Sequence, residues 1–73
     1  MAQIEVKSEV AGRVWKIEAE PGAALSIDDP ILIIESMKME IPVGAPRDCR
    51  LVEVRVAEEE AVAEGQVVAV VEA

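Results

Sequence analysis

The chain is 73 residues long and carries 7 basic and 15 acidic side chains, which gives a formal charge of −8, and it has no histidine. Its length fits one small domain, and the excess of acidic residues excludes a nucleic-acid binder, which needs clustered Lys and Arg. The absence of histidine and the single cysteine, Cys49, remove the commonest general base, the usual zinc ligands and any intramolecular disulfide. We therefore expect neither a metalloenzyme nor a hydrolase.

Composition favours β-structure. Valine and isoleucine dominate the apolar residues, Trp15 is the only aromatic side chain, and no segment has the pattern of a long amphipathic helix. No apolar run approaches the roughly 18 residues of a membrane span, and the first residues lack the basic start and apolar core of a secretory signal. We therefore expect an all-β domain in the cytoplasm, without a membrane partner.

The first half of the chain alternates strand patterns with turn signals. A period-2 pattern over residues 12–18 predicts a strand with Val14 and Trp15 on opposite faces, and Trp15 is expected to fill the core. Glu20-Pro21-Gly22 predicts a type II turn, since Pro fixes φ at the second position and Gly accepts a positive φ at the third. The apolar run 31–34 predicts a strand that is buried on both sides or closes the core.

The second half contains the same kinds of segment. Residues 50–56 alternate apolar and charged side chains, which predicts a strand with one inward apolar face. Residues 58–60 and 63–65 are expected to be solvated corners. Residues 66–72 predict a second buried strand, which closes the chain.

The two halves are related by an internal repeat. Displacing the chain by 37 residues aligns Arg13 with Arg50 and Glu35 with Glu72 without a gap, and many aligned positions between them are apolar in both halves. Each half is too small to bury its own apolar face, so the halves are predicted to pack on each other around an approximate two-fold axis. The link between them is 36–48.

The link begins with the most distinctive segment of the chain, Glu35-Ser36-Met37-Lys38-Met39-Glu40. Lys38 falls between an apolar strand and an extended segment that contains Pro42, so we expect it on an exposed turn. Two methionines beside an ammonium group present flexible apolar surface, which is stabilised most when another protein covers it. The segment therefore indicates a recognition site for a second protein.

Glu-Ser-Met-Lys-Met-Glu, followed by Ala45-Pro46, resembles the attachment motif of biotinyl domains, whose usual form is Glu-Ala-Met-Lys-Met-Glu. In size the chain is most similar to small stand-alone biotin carboxyl carrier proteins of this biotinyl/lipoyl-attachment family. We expect no Pro/Ala-rich leader like that of acetyl-CoA carboxylase carrier subunits, and the gapless repeat leaves no room for their "thumb" insertion. The resemblance implies one domain over residues 1–73, an all-β flattened eight-strand barrel (a barrel-sandwich hybrid). Its two four-strand halves would be related by a pseudo-two-fold axis, with the attachment lysine on the central hairpin.

The resemblance also implies a function. Biotin would be joined by an amide to Lys38, and the chain would be a non-catalytic carrier subunit of a biotin-dependent carboxylase. A biotin protein ligase would attach the biotin and would recognise the residues flanking Lys38, which are Met37, Met39, Glu35, Ser36 and Glu40. The carrier would then move a carboxyl group from a biotin carboxylase to a carboxyltransferase, as in the acetyl-CoA or other acyl-CoA carboxylases of fatty acid biosynthesis. Because the chain has no linker of its own, docking is expected to be non-covalent.

The chain departs from the family pattern at two turns. Cys49 and Glu59 stand where the family usually has glycine. If those turns need a positive φ, each side chain costs about 1 kcal/mol or more; otherwise the turns have changed type. Cys49 is expected to be an unreactive residue at a turn or at the edge of the core.

Two alternatives remain open. A lipoyl carrier has the same fold and also modifies a hairpin lysine, but it typically shows Asp-Lys-Ala at the tip. The other alternative is an unmodified assembly or regulatory module whose Lys38 stays free. Catalysis by the chain itself is not expected, because no nucleophile and base can be paired in it.

Overall fold

The computed structural model describes residues 2–73, which form eight strands and, within that range, no helix. The strands are β1 (Gln3–Lys7), β2 (Gly12–Ile17), β3 (Ala24–Leu25), β4 (Pro30–Ser36), β5 (Met39–Gly44), β6 (Cys49–Val54), β7 (Ala61–Val62) and β8 (Val67–Glu72). They pair antiparallel in two four-stranded sheets. The first sheet has the order β1-β8-β6-β3 and the second the order β5-β4-β2-β7. The predicted all-β class and eight-strand architecture are confirmed.

The second sheet repeats the first sheet, with each strand of one matched by a strand of the other. Under the 37-residue displacement, β1 corresponds to β5, β2 to β6, β3 to β7 and β4 to β8, and the strand order of one sheet becomes that of the other. Each sheet therefore contains two strands from each half of the chain. The halves are interleaved, rather than packed as two separate units, so neither half has a complete sheet of its own.

The ends of the described chain lie next to each other. The amide of Ala2 donates to the carbonyl of Ala73, and the amide of Ala73 donates to the carbonyl of Ala2, both at 3.0 Å. This pair extends the ladder between β1 and β8. No helix in this part of the chain is of the length and apolarity that crossing a membrane would require.

A bulge interrupts each half at the same position. The register between β2 and β4 shifts around Trp15, and the register between β6 and β8 shifts around Val52. A bulge adds one residue to a strand and thereby changes which side chains face inward. The predicted core position of Trp15 is wrong: Val14 takes the inward position with no exposed surface, and the neighbouring Trp15 side chain is 43% exposed. The inward face predicted for residues 50–56 is also interrupted at Val52, which is only half-buried.

The core lies between the two sheets, and β4 and β8 contribute most of it. Ile31, Leu32 and Ile34 of β4 have no exposed surface, and Leu51 of β6 is 1% exposed. Four consecutive residues of β8, residues 68–71, are buried as well. The two strands predicted from continuous apolar runs are thus confirmed as the most buried elements.

The predicted turn at Pro21 and Gly22 is confirmed, because φ is 93° at Gly22 and the amide of Ala23 donates to the carbonyl of Glu20 at 3.0 Å. In the second half, Glu59 takes the position of Gly22 and has a φ of 75°. The family's usual glycine is therefore replaced here without a change in the sign of φ. Cys49, the other replacement, is not among the residues with positive φ.

Candidate functional site

Lys38 lies at the tip of the hairpin that joins β4 to β5. Ser36 and Met39 are the last paired residues of the two strands, which leaves Met37 and Lys38 as a two-residue loop. Their φ angles are 51° and 66°. Positive φ at both central residues is the signature of a type I′ turn, whose twist matches that of the flanking strands. The predicted exposed turn is confirmed.

The backbone of this tip is strained. Type I′ turns favour Asn-Gly or Gly-Gly, because the left-handed conformation costs an ordinary L-residue roughly 1–2 kcal/mol. Met37 and Lys38 have neither a glycine's freedom nor an asparagine's local hydrogen bonds. Strain of this kind persists only where the surrounding structure enforces it, and it is concentrated at functional sites. Here the long β4–β5 ladder enforces it.

The hairpin is held directly below its tip by the start of β2 and the loop that precedes it. The hydroxyl of Ser36 donates to the carbonyl of Ala11 at 2.8 Å. Gly12 packs so closely on β4 that a Cβ there would overlap the carbonyl oxygen of Glu35 and would lie 2.8 Å from Cγ2 of Ile34. Ser36 was predicted as a recognition residue, and the structure gives it a positioning contact. The strand that leads into the turn is therefore fixed in position.

A row of charged side chains crosses the second sheet beneath the tip. Arg13, Glu35 and Glu40 are opposite one another on β2, β4 and β5. Arg13 Nη2 lies 3.3 Å from Oε1 of Glu35, and its Nη1 lies 3.7 Å from Oε2 of Glu59. These exposed ion pairs add little to stability. Their effect is local: Glu35 lies three residues before Lys38, and the ion pair places its carboxylate beside the guanidinium of Arg13.

Sequence reasoning missed Arg13 and Gly12 as neighbours of the site. A signal for Arg13 was present in the repeat, because Arg13 and Glu35 recur as Arg50 and Glu72. Both pairs are opposite each other in register. No local signal marked Gly12, since its constraint comes from a strand that is distant in sequence.

The tip is convex and open. Met37 is 93% exposed, Met39 is 62% exposed, and Lys38 is exposed between them. None of the ion pairs formed within residues 2–73 involves Lys38. The main groove in the described part of the molecule lies between β1 and β5, and its lining includes none of residues 35–40. An accessible primary amine on a rigid projection suits covalent attachment of a group by an amide bond.

Cys49 lies apart from this tip, at the start of β6, and is half-buried. Burial raises the pKa of the Cys49 thiol above its ordinary value, and the charge of Asp48 raises it further. A thiol that stays protonated is a poor nucleophile. The structure supports the expectation that Cys49 is unreactive.

Comparison with known proteins finds a matching family, a similar bacterial protein and similar solved structures. The family described as "Biotin-requiring enzyme" matches residues 7–71. The "Biotin/lipoyl attachment protein" of Bacillus subtilis is 39% identical over 62 residues, which are 85% of this chain and 85% of that protein. Among solved structures, the urea carboxylase of Kluyveromyces lactis matches 97% of this chain with a TM-score of 0.92 and 32% identity. A single-chain, multi-domain long-chain acyl-CoA carboxylase matches 96% of it with a TM-score of 0.90 and 27% identity.

The chain spans only 6% of the urea carboxylase and 7% of the long-chain acyl-CoA carboxylase, so it corresponds to one domain of each. The match to the Bacillus subtilis protein, in contrast, extends over most of both chains. The family match covers β2 to β7, most of β8 and the hairpin between β4 and β5, and it includes the last residue of β1. The chain therefore belongs to the biotin/lipoyl attachment family, whose members are carrier modules with biotin attached covalently to a lysine.

Proposed function

We propose that the protein is a biotin carboxyl carrier and that its biotin is attached through an amide to Nζ of Lys38. The observation that supports this assignment is the position of the three lysines. Lys7 and Lys16 lie within strands, whereas Lys38 lies at the tip of the projecting hairpin. Among the lysines of residues 2–73, Lys38 alone lies on a turn, where an enzyme's active site can close around its amine.

The chain's own contribution to attachment is the amine and the shape around it. In the acylation step, Nζ of Lys38 bonds to the carboxyl carbon of biotin, which a biotin protein ligase presents as its adenylate. The amine loses a proton, the bond between the carboxyl carbon and the phosphate oxygen breaks and AMP leaves, so the side chain ends as an uncharged amide. Met37 and Met39 offer the ligase apolar surface on both sides of the amine. Glu35, Ser36 and Glu40 complete the recognised segment.

In the proposed cycle a biotin carboxylase loads the carrier and a carboxyltransferase unloads it. Biotin, when bound, supplies the ring nitrogen that carries the carboxyl group. The likeness to domains of a urea carboxylase and of an acyl-CoA carboxylase supports carboxylase partners. We assign the acceptor to the acyl-CoA class, in which acetyl-CoA carboxylation would serve fatty acid biosynthesis. The surplus of acidic side chains suits docking on basic surfaces of these enzymes in the cytoplasm.

Lipoylation of the same lysine is the second candidate, because the name of the Bacillus subtilis relative includes both cofactors. The two candidates differ at the tip, where this chain has Met-Lys-Met and lipoyl domains typically have Asp-Lys-Ala.

The test is intact-protein mass spectrometry with peptide mapping, after co-expression with a biotin protein ligase and, separately, with a lipoate ligase. The expected result is one biotinyl adduct, mapped to Lys38. A lipoyl adduct alone would transfer the assignment to lipoyl chemistry. An unmodified chain in both experiments would support the module whose lysine stays free.

A further inference from the structure

The outer faces of the two sheets differ, although the sheets are related by the repeat. On the first sheet, Glu5, Val70 and Glu53 are opposite one another on β1, β8 and β6. Nη1 of Arg55 lies 3.8 Å from Oε2 of Glu5, and its Nε lies 3.0 Å from Oε1 of Glu53. Its side chain therefore bridges the row above Val70. Val70 does not belong to the group of buried side chains that pack together as the core, and yet it is only 3% exposed. This face of the first sheet is therefore well covered.

The corresponding row on the second sheet is uncovered. Pro42, Ile33 and Lys16 take the places of Glu5, Val70 and Glu53. Glu18 takes the place of Arg55, and within residues 2–73 no ion pair spans this row. Pro42 is exposed and Ile33 is half-buried. The bulge adds Trp15, which is 43% exposed, next to Lys16.

We propose that Trp15, Ile33 and Pro42 form a docking surface for the enzyme that acylates Lys38. This inference rests on the proposed function. Tryptophan is enriched among the residues that contribute most to binding at the centre of protein interfaces. Ile33 and Pro42 lie on the two strands of the hairpin, five and four residues from Lys38. At about 3.3 Å per residue the row is roughly 13–17 Å from the lysine backbone. One protein–protein interface of ordinary size therefore covers both the row and Lys38.

The enzyme that covers this docking surface can be inferred from how closely its active site must approach Lys38. The acylating enzyme must bring its active site to Nζ of Lys38 itself, so its surface closes over the tip and over the adjoining part of the second sheet. Enzymes that act on attached biotin meet it at the end of a longer arm and can stand farther from the sheet. A second copy of this chain is disfavoured, since two molecules of charge −8 repel each other. Glu18 and Glu40, which take part in none of the ion pairs within residues 2–73, favour a partner with a basic rim around an apolar centre.

The experiment measures biotinylation of the unmodified protein by a purified bacterial biotin protein ligase. The variants are Trp15→Ala, Trp15→Phe and, at the other end of the row, Pro42→Glu. Val52→Ala is the matched control, because Val52 is the bulge residue of the covered face. For Trp15→Ala and Pro42→Glu we expect KM for the carrier to rise at least about tenfold with kcat changed less than about twofold. Trp15→Phe should raise KM less than Trp15→Ala does, Val52→Ala should stay close to the parent, and circular dichroism should show that all four variants are folded.

The outcomes separate this inference from the function on which it rests. A parent protein that takes no biotin refutes the proposed function. A parent that is biotinylated, with KM unchanged in both folded Trp15→Ala and Pro42→Glu, refutes the docking surface alone. Normal biotinylation of these variants with impaired loading by a biotin carboxylase would assign the surface to that enzyme and also overturn the inference. If Trp15→Ala does not fold, Pro42→Glu on its own decides the result.

Discussion

Glu59 has the backbone conformation that Gly22 has at the equivalent position of the first half, with φ angles of 75° and 93°. Glycine adopts this conformation freely, whereas a residue with a Cβ is strained in it. The carboxylate of Glu59 also lies 3.7 Å from Arg13, which in turn contacts Glu35 below the hairpin tip. The second half therefore has a less favourable turn at the position where it contacts the site.

The substitution Glu59→Gly is expected to stabilise the protein by about 0.5–1 kcal/mol. Relief of the left-handed conformation outweighs the extra chain entropy of glycine and the loss of an exposed ion pair. Urea unfolding followed by circular dichroism measures the change. Gly22→Ala is the matched control and should destabilise by about 1 kcal/mol, since nothing lies within 4 Å of the added methyl group and only the conformation changes. Equal stability of Glu59→Gly and the parent would show that this turn is not strained.

Gly12→Ala is expected to destabilise the protein by about 1–3 kcal/mol, as overpacking does elsewhere. The added Cβ overlaps the carbonyl oxygen of Glu35, which belongs to the backbone and cannot rotate away. The same change should loosen the hairpin close to its tip and slow biotinylation. Thermal unfolding and a ligase assay report the two effects. Cys49→Ala is the control at the equivalent position, and an equal loss of stability in both variants would contradict the close approach of β2 to β4.

Lys38→Arg should abolish biotinylation and leave the fold intact, because an exposed guanidinium has the same charge but does not form the amide. Streptavidin blotting after co-expression with the ligase measures modification, and the free energy of unfolding should change by no more than about 0.5 kcal/mol. Lys16→Arg is the control and should be fully biotinylated. Streptavidin binding by Lys38→Arg would show that another lysine is modified.

Met37→Asn should stabilise the hairpin and weaken recognition at the same time. Asparagine tolerates the left-handed φ of 51° at this position, so we expect a gain of a few tenths to about 1 kcal/mol. Loss of the exposed methionine should lower kcat/KM for the ligase. Met39→Asn lacks the first effect, because Met39 is a strand residue without a positive φ. Unchanged kcat/KM in Met37→Asn would remove Met37 from the recognised surface.

Alkaline pH should destabilise the protein through Cys49. Burial raises the pKa of this thiol in the folded state, so folding favours the neutral form. The contribution is complete below the unfolded thiol pKa, about 8.5, and is lost as pH rises through the folded value. Stability measured between pH 7 and pH 10 should fall less steeply in Cys49→Ala than in the parent. Identical slopes would show that the thiol does not titrate differently on folding.

Patterns of buried residues predicted the main strands, and a motif predicted the site. The runs that became β4 and β8 were recognisable because both of their faces are apolar, and the repeat predicted a two-fold relation. The tip was predicted because Met-Lys-Met stands between two strands with charged residues around it. Strand β1 also had a signal, since Ile4 and Val6 alternate with polar residues, but five residues at the start of a chain are weak evidence by themselves.

Tertiary contacts determined what the sequence patterns did not show. Strands β3 and β7 have two residues each, and only pairing with β6 and β2 defines them. Val14 rather than Trp15 fills the core, so an indole predicted to be buried lies on the surface, and the bulge leaves the next residue, Lys16, exposed as well. The positions of Gly12 and Arg13 near the site depend on residues more than 20 positions away, and no local pattern encodes such contacts.

The pairing of Ala2 with Ala73 affects how the domain can be attached to other proteins. Under the repeat this pair corresponds to Met39 and Ser36, so the chain ends occupy the position equivalent to the lysine hairpin. Residues 45–48 lead from the end of β5 remote from the hairpin to β6, whose Arg50 pairs with Glu72. The ends and the lysine therefore lie at opposite ends of a body 35 Å long. A flexible tether joined at Ala2 or Ala73 would act as a pivot, about which the lysine swings through the widest arc that the domain allows.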